Sequence, residues 1–225
     1  MKKLFCIINM LTCLSFIYSQ KTTEITPEET PITGTPSNMF FEMGNLLLVN
    51  TYDEGAPSPI KFSLGMGYTI PITTWLSFTP QGQIFSNYYL WDSDNAIALP
   101  AETENRTASV PSMLIDIPAT FHFTIGSFIL GVEPSVSFLL RYAYTAHNVT
   151  EDVTDDISNI NSWFYSNWHF LYPSLRVSFD HFFTTGTKIG VSIAAYIPVS
   201  TFTENNFPQN FTLSITTRIF FPQRK

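Results

Sequence analysis

The segment Ile60–Ile70, with the sequence IKFSLGMGYTI, decides which fold the chain adopts. Its even-numbered positions carry large apolar side chains, whereas its odd-numbered positions carry Lys, Ser, Gly or Thr. A period of two residues is typical of a β-strand with one apolar and one polar face. A soluble sheet turns its apolar face to a core, whereas a membrane barrel turns it to lipid. The fold therefore depends on which face points inward.

The composition narrows the class of protein. Of the 225 residues, 44% are hydrophobic and only 13% are charged, whereas about a quarter are charged in a typical soluble protein. Such a chain is too apolar to be disordered. Beyond the N-terminus, however, no apolar run reaches the roughly 18 residues that a membrane-crossing helix needs. The net charge of −7 argues against nucleic acid as a partner.

Residues 1–20 are predicted to be a secretory signal peptide, because two lysines precede a short apolar core and a polar cleavage region. A single anchoring helix and a lipoprotein signal at Cys13 are the alternatives. Both cysteines, Cys6 and Cys13, lie in this segment. After cleavage, the chain would therefore hold neither a disulfide nor a thiolate metal site. Residues 21–39, rich in Thr, Pro and Glu, are predicted to be a flexible tail.

Eight alternating segments follow. They are Phe40–Thr51, Ile60–Ile70, Trp75–Trp91, Met113–Ile125, Phe128–Tyr144, Trp163–Phe179, Ile189–Ile197 and Phe211–Phe221. Short links alternate with longer, acidic ones, and alternate links of an up-and-down barrel fall on opposite rims. The sequence thus predicts an all-β, eight-stranded antiparallel up-and-down transmembrane β-barrel over residues 40–221, with short periplasmic turns, long acidic extracellular loops and a tail at 222–225. Ten strands stay open as an alternative if the long loops form another hairpin.

The polar faces indicate that the apolar faces point outward. We expect a lumen charge network formed by Lys61, Asp116, His122, Glu133, Arg141, Arg176, Lys188 and Arg218. Eight strands enclose only enough room for side chains to fill, so these groups would form a salt-bridged plug, a gated narrow pore or a static polar core. The same charges facing lipid would each cost about 2–4 kcal/mol near the midplane.

Aromatic residues near the predicted strand ends suggest two girdles at the membrane interfaces. The girdle at the long loops would contain Tyr88, Tyr89, Trp91, Tyr142, Tyr144, Trp163 and Tyr165, and the girdle at the short turns would contain Tyr68 and Trp75.

In the pattern of their strands, links and aromatic residues, residues 40–221 resemble the eight-stranded bacterial outer-membrane β-barrels. This group includes OmpA transmembrane domains and OmpW-type proteins. The last strand, FTLSITTRIFF, is similar to the C-terminal assembly signal of that family, although Pro222 and three further residues follow its final aromatic residue. The resemblance implies export to the bacterial outer membrane, with outer-membrane lipid and the outer-membrane assembly machinery as partners.

Four prolines lie inside the third to sixth predicted strands at a similar height: Pro80, Pro118, Pro134 and Pro173. Each lacks the N–H that a β-ladder needs, so together they predict bulges at one level. The OmpW-type resemblance implies a use for such a level, namely a lateral opening through which a small apolar compound leaves the barrel. The alternative is that the bulges only shape the wall.

Three functions are compatible with this fold. The first is a narrow channel or passage for small, including hydrophobic, molecules across the outer membrane. The second is a structural or adhesin-like barrel with a plugged lumen that binds a host surface ligand. The third, a lipid-modifying enzyme, is the weakest, because His147 and His169 lie among several serines without the spacing of a catalytic triad. We expect no catalytic residue, no cofactor and no metal site.

Overall fold

The computed structural model describes residues 36–49, 59–102, 106–147, 149–183, 186–203 and 211–222. The predicted signal peptide (1–20), residues 21–35 of the predicted tail and residues 223–225 lie outside the described residues. In chain order the elements are β1 (Pro36–Leu48), β2 (Ile60–Tyr68), β3 (Ile70–Pro71), β4 (Leu76–Phe78), β5 (Gln81–Asp92), β6 (Ile97–Ala101), β7 (Ala108–Ile125), β8 (Phe128–Arg141), β9 (Tyr144–Thr145), α1 (Thr154–Tyr165), β10 (Leu171–Phe182), β11 (Lys188–Tyr196), α2 (Ser200–Thr203) and β12 (Thr212–Pro222).

The eight long strands form a closed barrel. They pair in the order β7–β8–β10–β11–β12–β1–β2–β5, and β5 pairs back to β7. Every one of these pairings is antiparallel. Since strands that follow one another along the chain are neighbours, the barrel is of the up-and-down type, and closure removes the free edges of the sheet. The predicted eight-stranded antiparallel barrel is confirmed.

The short strands extend the wall at its two ends. We call the end that joins β3–β4, β7–β8 and β10–β11 the short-turn end, and the opposite end the long-loop end. At the short-turn end, β3 pairs with β4 and β4 pairs with β7, so they continue β2 and β5 beyond breaks at Thr69 and at Thr79–Pro80. At the long-loop end, β6 pairs with β5 and β9 pairs with β7. The four short strands lengthen the wall at its two ends but do not add to the closed ring, which has eight strands.

The barrel turns its apolar face outward. In β2, Phe62 and Leu64 are 59% and 48% exposed, whereas Ser63 between them is 1% exposed. The same alternation continues around the wall, where Ile193 and Ile215 face outward beside a buried Ser192. A single closed sheet with an apolar exterior and a polar interior is the architecture of a membrane-spanning barrel. Within the described ranges, none of the helices is both long enough and apolar enough to span a membrane.

The helix α1 corrects the predicted strand Trp163–Phe179. Its residues Ile160, Trp163 and Phe164 are buried, a spacing of three and four residues that places one apolar stripe on one side of a helix. The strand β10 begins only at Leu171. At the N-terminal side of the barrel, β1 begins at Pro36, so the predicted tail at 21–39 ends earlier than expected.

A close packing contact near the short-turn end explains one glycine of β2. A Cβ atom added at Gly67 would overlap the ring of Phe40. That ring is fully buried, and its centroid lies 4.8 Å from the centroid of the Phe220 ring. Gly67 therefore leaves the space that the Phe40 side chain fills inside the narrow barrel.

Replacing Gly67 by Ala is expected to destabilise the barrel by about 1–3 kcal/mol, because an overpacked interior forces side chains off their preferred positions. The matched control is Gly82→Ala, where the nearest atom, Met113 Cε, lies at an ordinary contact distance of 3.4 Å. Heat-modifiable gel migration and the urea midpoint of the detergent-folded proteins measure the difference. Equal stability of the two variants would contradict this packing.

Candidate functional site

Five charged side chains meet in the middle of the lumen, and we call them the charge cluster. They are Glu42 on β1, Asp116 on β7, Glu133 on β8, Arg176 on β10 and Arg218 on β12. None is more than 2% exposed. The strand register places Glu42 directly opposite Arg218, and Glu133 directly opposite Arg176. The strand register alone therefore places two carboxylates directly opposite two guanidinium groups.

Arg176 connects carboxylates of three strands. Its Nη1 lies 3.0 Å from Glu42 Oε2, and its Nη2 lies 2.7 Å from Asp116 Oδ2. The third carboxylate, Glu133, is 3.9 Å from Nε. Nη2 also donates to the Tyr196 hydroxyl at 2.8 Å, and that hydroxyl donates to Asp116 Oδ2 at 3.0 Å. Because β1 and β7 are not neighbours of β10, these bonds cross the lumen.

Arg218 makes the second crossing. Its Nη1 and Nη2 donate to the two carboxylate oxygens of Glu133 at 2.7 and 2.8 Å, a bidentate geometry that is among the strongest hydrogen-bonded pairs. Ser178 adds a hydrogen bond of 2.9 Å to Glu133 Oε1. The guanidinium group lies 5.2 Å from the centroid of the Phe40 ring. Glu133 is therefore held from three sides, since Arg176 approaches it as well.

The charge cluster contains one more carboxylate than guanidinium groups. Glu42 Oε1 and Asp116 Oδ1 are buried and have no hydrogen-bond partner among the described residues. Buried polar atoms are usually paired, so these two oxygens are the unsatisfied acceptors of the cluster. The cluster therefore keeps a formal excess of one negative charge.

A separate ion pair lies near the short-turn end. Lys188 Nζ is 3.0 Å from Asp180 Oδ2 and 3.5 Å from the centroid of the Phe220 ring. Nearby, His122 Nε2 lies 2.7 Å from the Oγ atom of Ser77, and the Ser77 side chain is buried. The sequence prediction included Lys188 and His122 but missed Asp180. Asp180 lies four residues after Arg176 on β10 and therefore on the same, inward face of the strand.

The two remaining predicted network residues lie apart from the charge cluster. Arg141 is buried beneath α1, where its Nη2 donates to the His169 carbonyl oxygen at 2.9 Å and its Cζ lies 4.0 Å from the centroid of the Phe164 ring. Lys61 is half-buried, and its Nζ lies 5.4 Å from the centroid of the Tyr88 ring. The predicted residues thus occupy several levels of the barrel.

Apolar side chains fill the lumen between the charge cluster and the long-loop end. The first group, which we call the apolar layer, consists of Leu46, Leu48, Phe85, Leu114, Leu139, Tyr172, Ala194 and Tyr196. A second group packs Ile160, Trp163 and Phe164 of α1 against buried residues of β5 to β7. The sequence reading expected a polar interior, and this layer is the part that it missed.

The helix α1 is fastened to the end of β8 by side-chain hydrogen bonds to the backbone. The Asn161 amide accepts from the Ala143 N–H at 2.8 Å and donates to the Ala143 carbonyl at 3.0 Å. The Tyr165 hydroxyl donates to the Arg141 carbonyl at 2.6 Å and accepts from the Arg141 N–H at 3.1 Å. These bonds satisfy backbone groups at and just beyond the end of β8, so α1 is held against the long-loop end of the barrel.

The predicted aromatic girdle is only partly on the outer surface. Tyr68, Trp75, Tyr142, Tyr144 and Tyr165 are exposed, and Tyr88 is half-buried. The remaining three differ: Tyr89 is 2% exposed and Trp163 is 9% exposed, and Trp91 packs against the group that contains them. The physical reason is that Tyr89 lies at an inward position of β5, and Trp163 lies on the buried stripe of α1.

Two ladders are interrupted at the level of the prolines without a shift of register, whereas Pro173 lies in a continuous ladder. Pro80 lies at the break between β4 and β5. The β7–β8 ladder omits the pairs between Pro118 and Phe121, and the register is the same on both sides. The ladder between β8 and β10 runs continuously through Pro134 and Pro173. In these described ladders the wall has interruptions at this level, and the expected bulges are absent.

A groove of about 600 Å³ lies on the outer face of the wall, and we call it the wall groove. It runs across β2, β5, β7 and β8, and its lining includes Phe62, Leu64, Ile84, Met113, Leu140 and Tyr142. The β2–β5 ladder ends at the pair Leu64–Ile84, and β5 pairs with β6 only from Tyr88 onward. Phe85, which belongs to the apolar layer, also lines the wall groove. The groove therefore reaches a buried residue of the interior where the ladder stops.

No family model matches the chain, and no curated protein matches it. Solved structures of outer-membrane proteins are similar to it at low levels. The outer membrane enzyme PagL has 12% identity and a TM-score of 0.41, with 82% of this chain and 99% of that chain covered. OprG from Pseudomonas aeruginosa has 8% identity and a TM-score of 0.48, with 84% and 95% covered. Ail of Yersinia pestis has 8% identity and a TM-score of 0.36, with 82% and 97% covered. The assignment of the barrel rests on its closed strand pairing.

Replacing Glu133 by Ala is expected to lower the free energy of unfolding by about 3–5 kcal/mol, since it leaves the buried Arg218 without its bidentate partner. The control is Ser137→Ala on the same strand, which removes the 2.8 Å hydrogen bond to Ser174 and is expected to cost about 1 kcal/mol. Urea unfolding in detergent micelles measures both values. Equal losses would show that the charge cluster does not stabilise the barrel.

Proposed function

We propose that this protein is an outer-membrane barrel with a plugged lumen that acts by binding at its outer surface, with the long-loop end facing outward. The charge cluster carries this proposal, because its bonds from Arg176 to Glu42 and from Arg218 to Glu133 span the lumen between strands three positions apart in the ring. The role is non-enzymatic. Partners in this proposal are outer-membrane lipid, the outer-membrane assembly machinery during insertion, and either a host surface ligand or a small hydrophobic solute at the surface.

Three successive layers block the axis of the barrel. The charge cluster lies in the middle, the apolar layer follows, and α1 covers the end. An eight-stranded barrel is only wide enough for side chains to fill. Passage of an ion along this axis would require several buried ion pairs to open together, so the described interior favours the plugged form over the predicted narrow channel.

Planar bilayers containing the detergent-folded protein are expected to show no unitary current at moderate voltage. Arg176→Ala tests the role of the charge cluster: it removes contacts to three carboxylates and is expected to increase the leak current. Ser137→Ala is the control that leaves the cluster intact. Stable current steps in the wild-type protein whose ion selectivity changes in Glu133→Ala would contradict the plugged barrel and support the channel.

A passage through the side of the wall is the second candidate function, and the wall groove favours it. The groove lies where the β2–β5 ladder ends, and its lining includes Phe85 of the apolar layer. Rotation of this one side chain would connect the outer wall to the apolar interior. A small hydrophobic solute would then cross the wall between β2 and β5. This route lies farther from the short-turn end than the interruptions in the ladders near the prolines.

A disulfide across this gap tests the side passage. Phe62 and Ser86 are the positions that would pair if the β2–β5 register continued beyond Leu64–Ile84. In cells carrying Phe62→Cys/Ser86→Cys, oxidation is expected to abolish uptake of the apolar dye N-phenylnaphthylamine, and a reductant is expected to restore it. Phe62→Cys alone is the control. Unchanged uptake after complete cross-linking would exclude this route.

A further inference from the structure

Two carboxylates of the charge cluster are hydrogen-bonded through one oxygen only. Asp116 Oδ2 accepts from Arg176 Nη2 at 2.7 Å and from the Tyr196 hydroxyl at 3.0 Å. Glu42 Oε2 accepts from Arg176 Nη1 at 3.0 Å. The second oxygens, Asp116 Oδ1 and Glu42 Oε1, are buried and accept no hydrogen bond within the described ranges. Because both carboxylates bind the same guanidinium group, these two bare acceptors lie in the same part of the lumen.

Gln83 on β5 supplies a complementary unpartnered group. Its side chain is 1% exposed. The amide oxygen accepts from Ser63 Oγ at 3.2 Å, whereas the amide nitrogen Nε2 makes no hydrogen bond to any described residue. A glutamine amide nitrogen carries two N–H donors, and buried polar atoms are usually paired. The interior therefore holds an unused donor as well as two unused acceptors.

The strand register places this donor next to both acceptors. Glu42 is directly opposite Gly65, and Gly65 is directly opposite Gln83. A Cβ atom added at Gly65 would lie 2.9 Å from Glu42 Cγ and 2.9 Å from Gln83 Cγ, so both side chains lean over the glycine toward each other. Asp116 is opposite Gln81, the neighbouring inward residue of β5. Such diagonal neighbours lie roughly 7–8 Å apart, within reach of long side chains.

We propose that Glu42, Asp116 and Gln83 bind one buried water molecule. The water accepts a hydrogen bond from Gln83 Nε2 and donates its two hydrogens to Glu42 Oε1 and Asp116 Oδ1. Three hydrogen bonds are typical of a buried water, and this assignment satisfies all three unpartnered groups. The remaining carboxylate of the cluster needs no such ligand, because both oxygens of Glu133 already accept from Arg218 at 2.7 and 2.8 Å.

Water fits this site better than a metal cation does. A cation cannot accept the hydrogen bond that Gln83 Nε2 offers. Two guanidinium groups already stand beside the carboxylates, since Arg176 binds both of them and Arg218 Nε lies 3.8 Å from Glu42 Oε2. A further positive charge would be repelled by these groups. Only a ligand that both donates and accepts hydrogen bonds matches the three unpartnered atoms.

The proposed water links strands across the shortest ladder of the closed ring. The β2–β5 ladder has four residue pairs, fewer than any other described ladder between neighbouring long strands. A water held by Gln83 on β5 and by Glu42 on β1 would bridge β2 from inside the lumen. The site thus supports the interior where backbone pairing is least extensive, and it does not depend on the role of the outer surface.

Water-selective NMR of the full chain in detergent micelles, with isotope-labelled glutamine, tests the proposal. The side-chain amide of Gln83, assigned by its loss in Gln83→Met, is expected to show a nuclear Overhauser effect to water with the sign of a bound molecule and not of proton exchange. The Gln81 amide is the internal control, because its Nε2 donates directly to Asp116 Oδ2 at 3.0 Å, and it is expected to give a weaker signal. No effect at Gln83, or an equal effect at Gln81, would overturn the proposal.

Gln83→Lys and Gln83→Met form a matched pair of variants, since both side chains are unbranched and only the lysine carries N–H donors. The ammonium group is expected to replace the water, donate to both bare oxygens and offset the excess negative charge of the cluster. We therefore expect a higher urea midpoint for Gln83→Lys than for Gln83→Met, with folding checked by heat-modifiable gel migration. An equal or lower midpoint for Gln83→Lys would contradict the site. If either variant fails to fold, the NMR measurement on the wild-type protein decides.

Sodium chloride and choline chloride at equal concentration distinguish a water site from a cation site. The urea midpoint of the wild-type protein is expected to be the same in both salts. A higher midpoint in sodium chloride that disappears in Gln83→Lys would show that the site binds a metal cation, and would overturn the proposal. Conductance is measured separately, so an open pore with a bound water at Gln83 would refute only the plugged barrel.

Discussion

The narrow interior of a closed eight-stranded barrel is the constraint on which the rest of this structure depends. Every inward side chain must find a partner within a space that only side chains can fill. The charge cluster meets this requirement with bonds from β10 to β1 and from β12 to β8, which join strands three positions apart in the ring. Small residues meet it elsewhere, as where Gly67 leaves room for Phe40 and Gly190 leaves room for Asp180.

The charge cluster also specifies how the strands align. A slip of one residue in a strand moves its whole polar set to the opposite face, which here is lipid. In the observed register Glu42 faces Arg218 and Glu133 faces Arg176. A slipped β12 would place Arg218 in hydrocarbon, at a cost of about 2–4 kcal/mol, and would leave buried carboxylates unpaired. Buried ion pairs often add little net stability, so we interpret the cluster mainly as a device for register.

The alternation of inward and outward positions along a strand, which we call strand parity, explains which parts of the site are predictable from sequence. Parity correctly places Glu133, Arg176 and Arg218 inside, and the same rule would have placed Asp180 and Tyr89 there. Tyr89 departs from the predicted girdle because its odd-numbered position on β5 faces inward, although it lies near the end of the strand. Helix α1 is not predictable from this pattern, because its short apolar stripe spans the boundary between a polar segment and the predicted strand Trp163–Phe179. Lys61 has inward parity, yet it lies beside Tyr88 because the β2–β5 ladder ends at Leu64, and no pattern in a single strand reports where its neighbour stops pairing.

The change of partner by β5 links the closed lumen to the features of the outer wall. From Gln81 to Ile84 this strand pairs with β2, and from Tyr88 to Asp92 it pairs with β6. Between these segments the wall is held by β7 alone, and the wall groove forms there. Because Phe85 and the rest of the apolar layer fill the space behind the gap, the interior stays packed there while the outer face gains an apolar groove. The gap in pairing thus accounts for both features: a densely packed interior behind β5 and an apolar groove on the outward face in front of it.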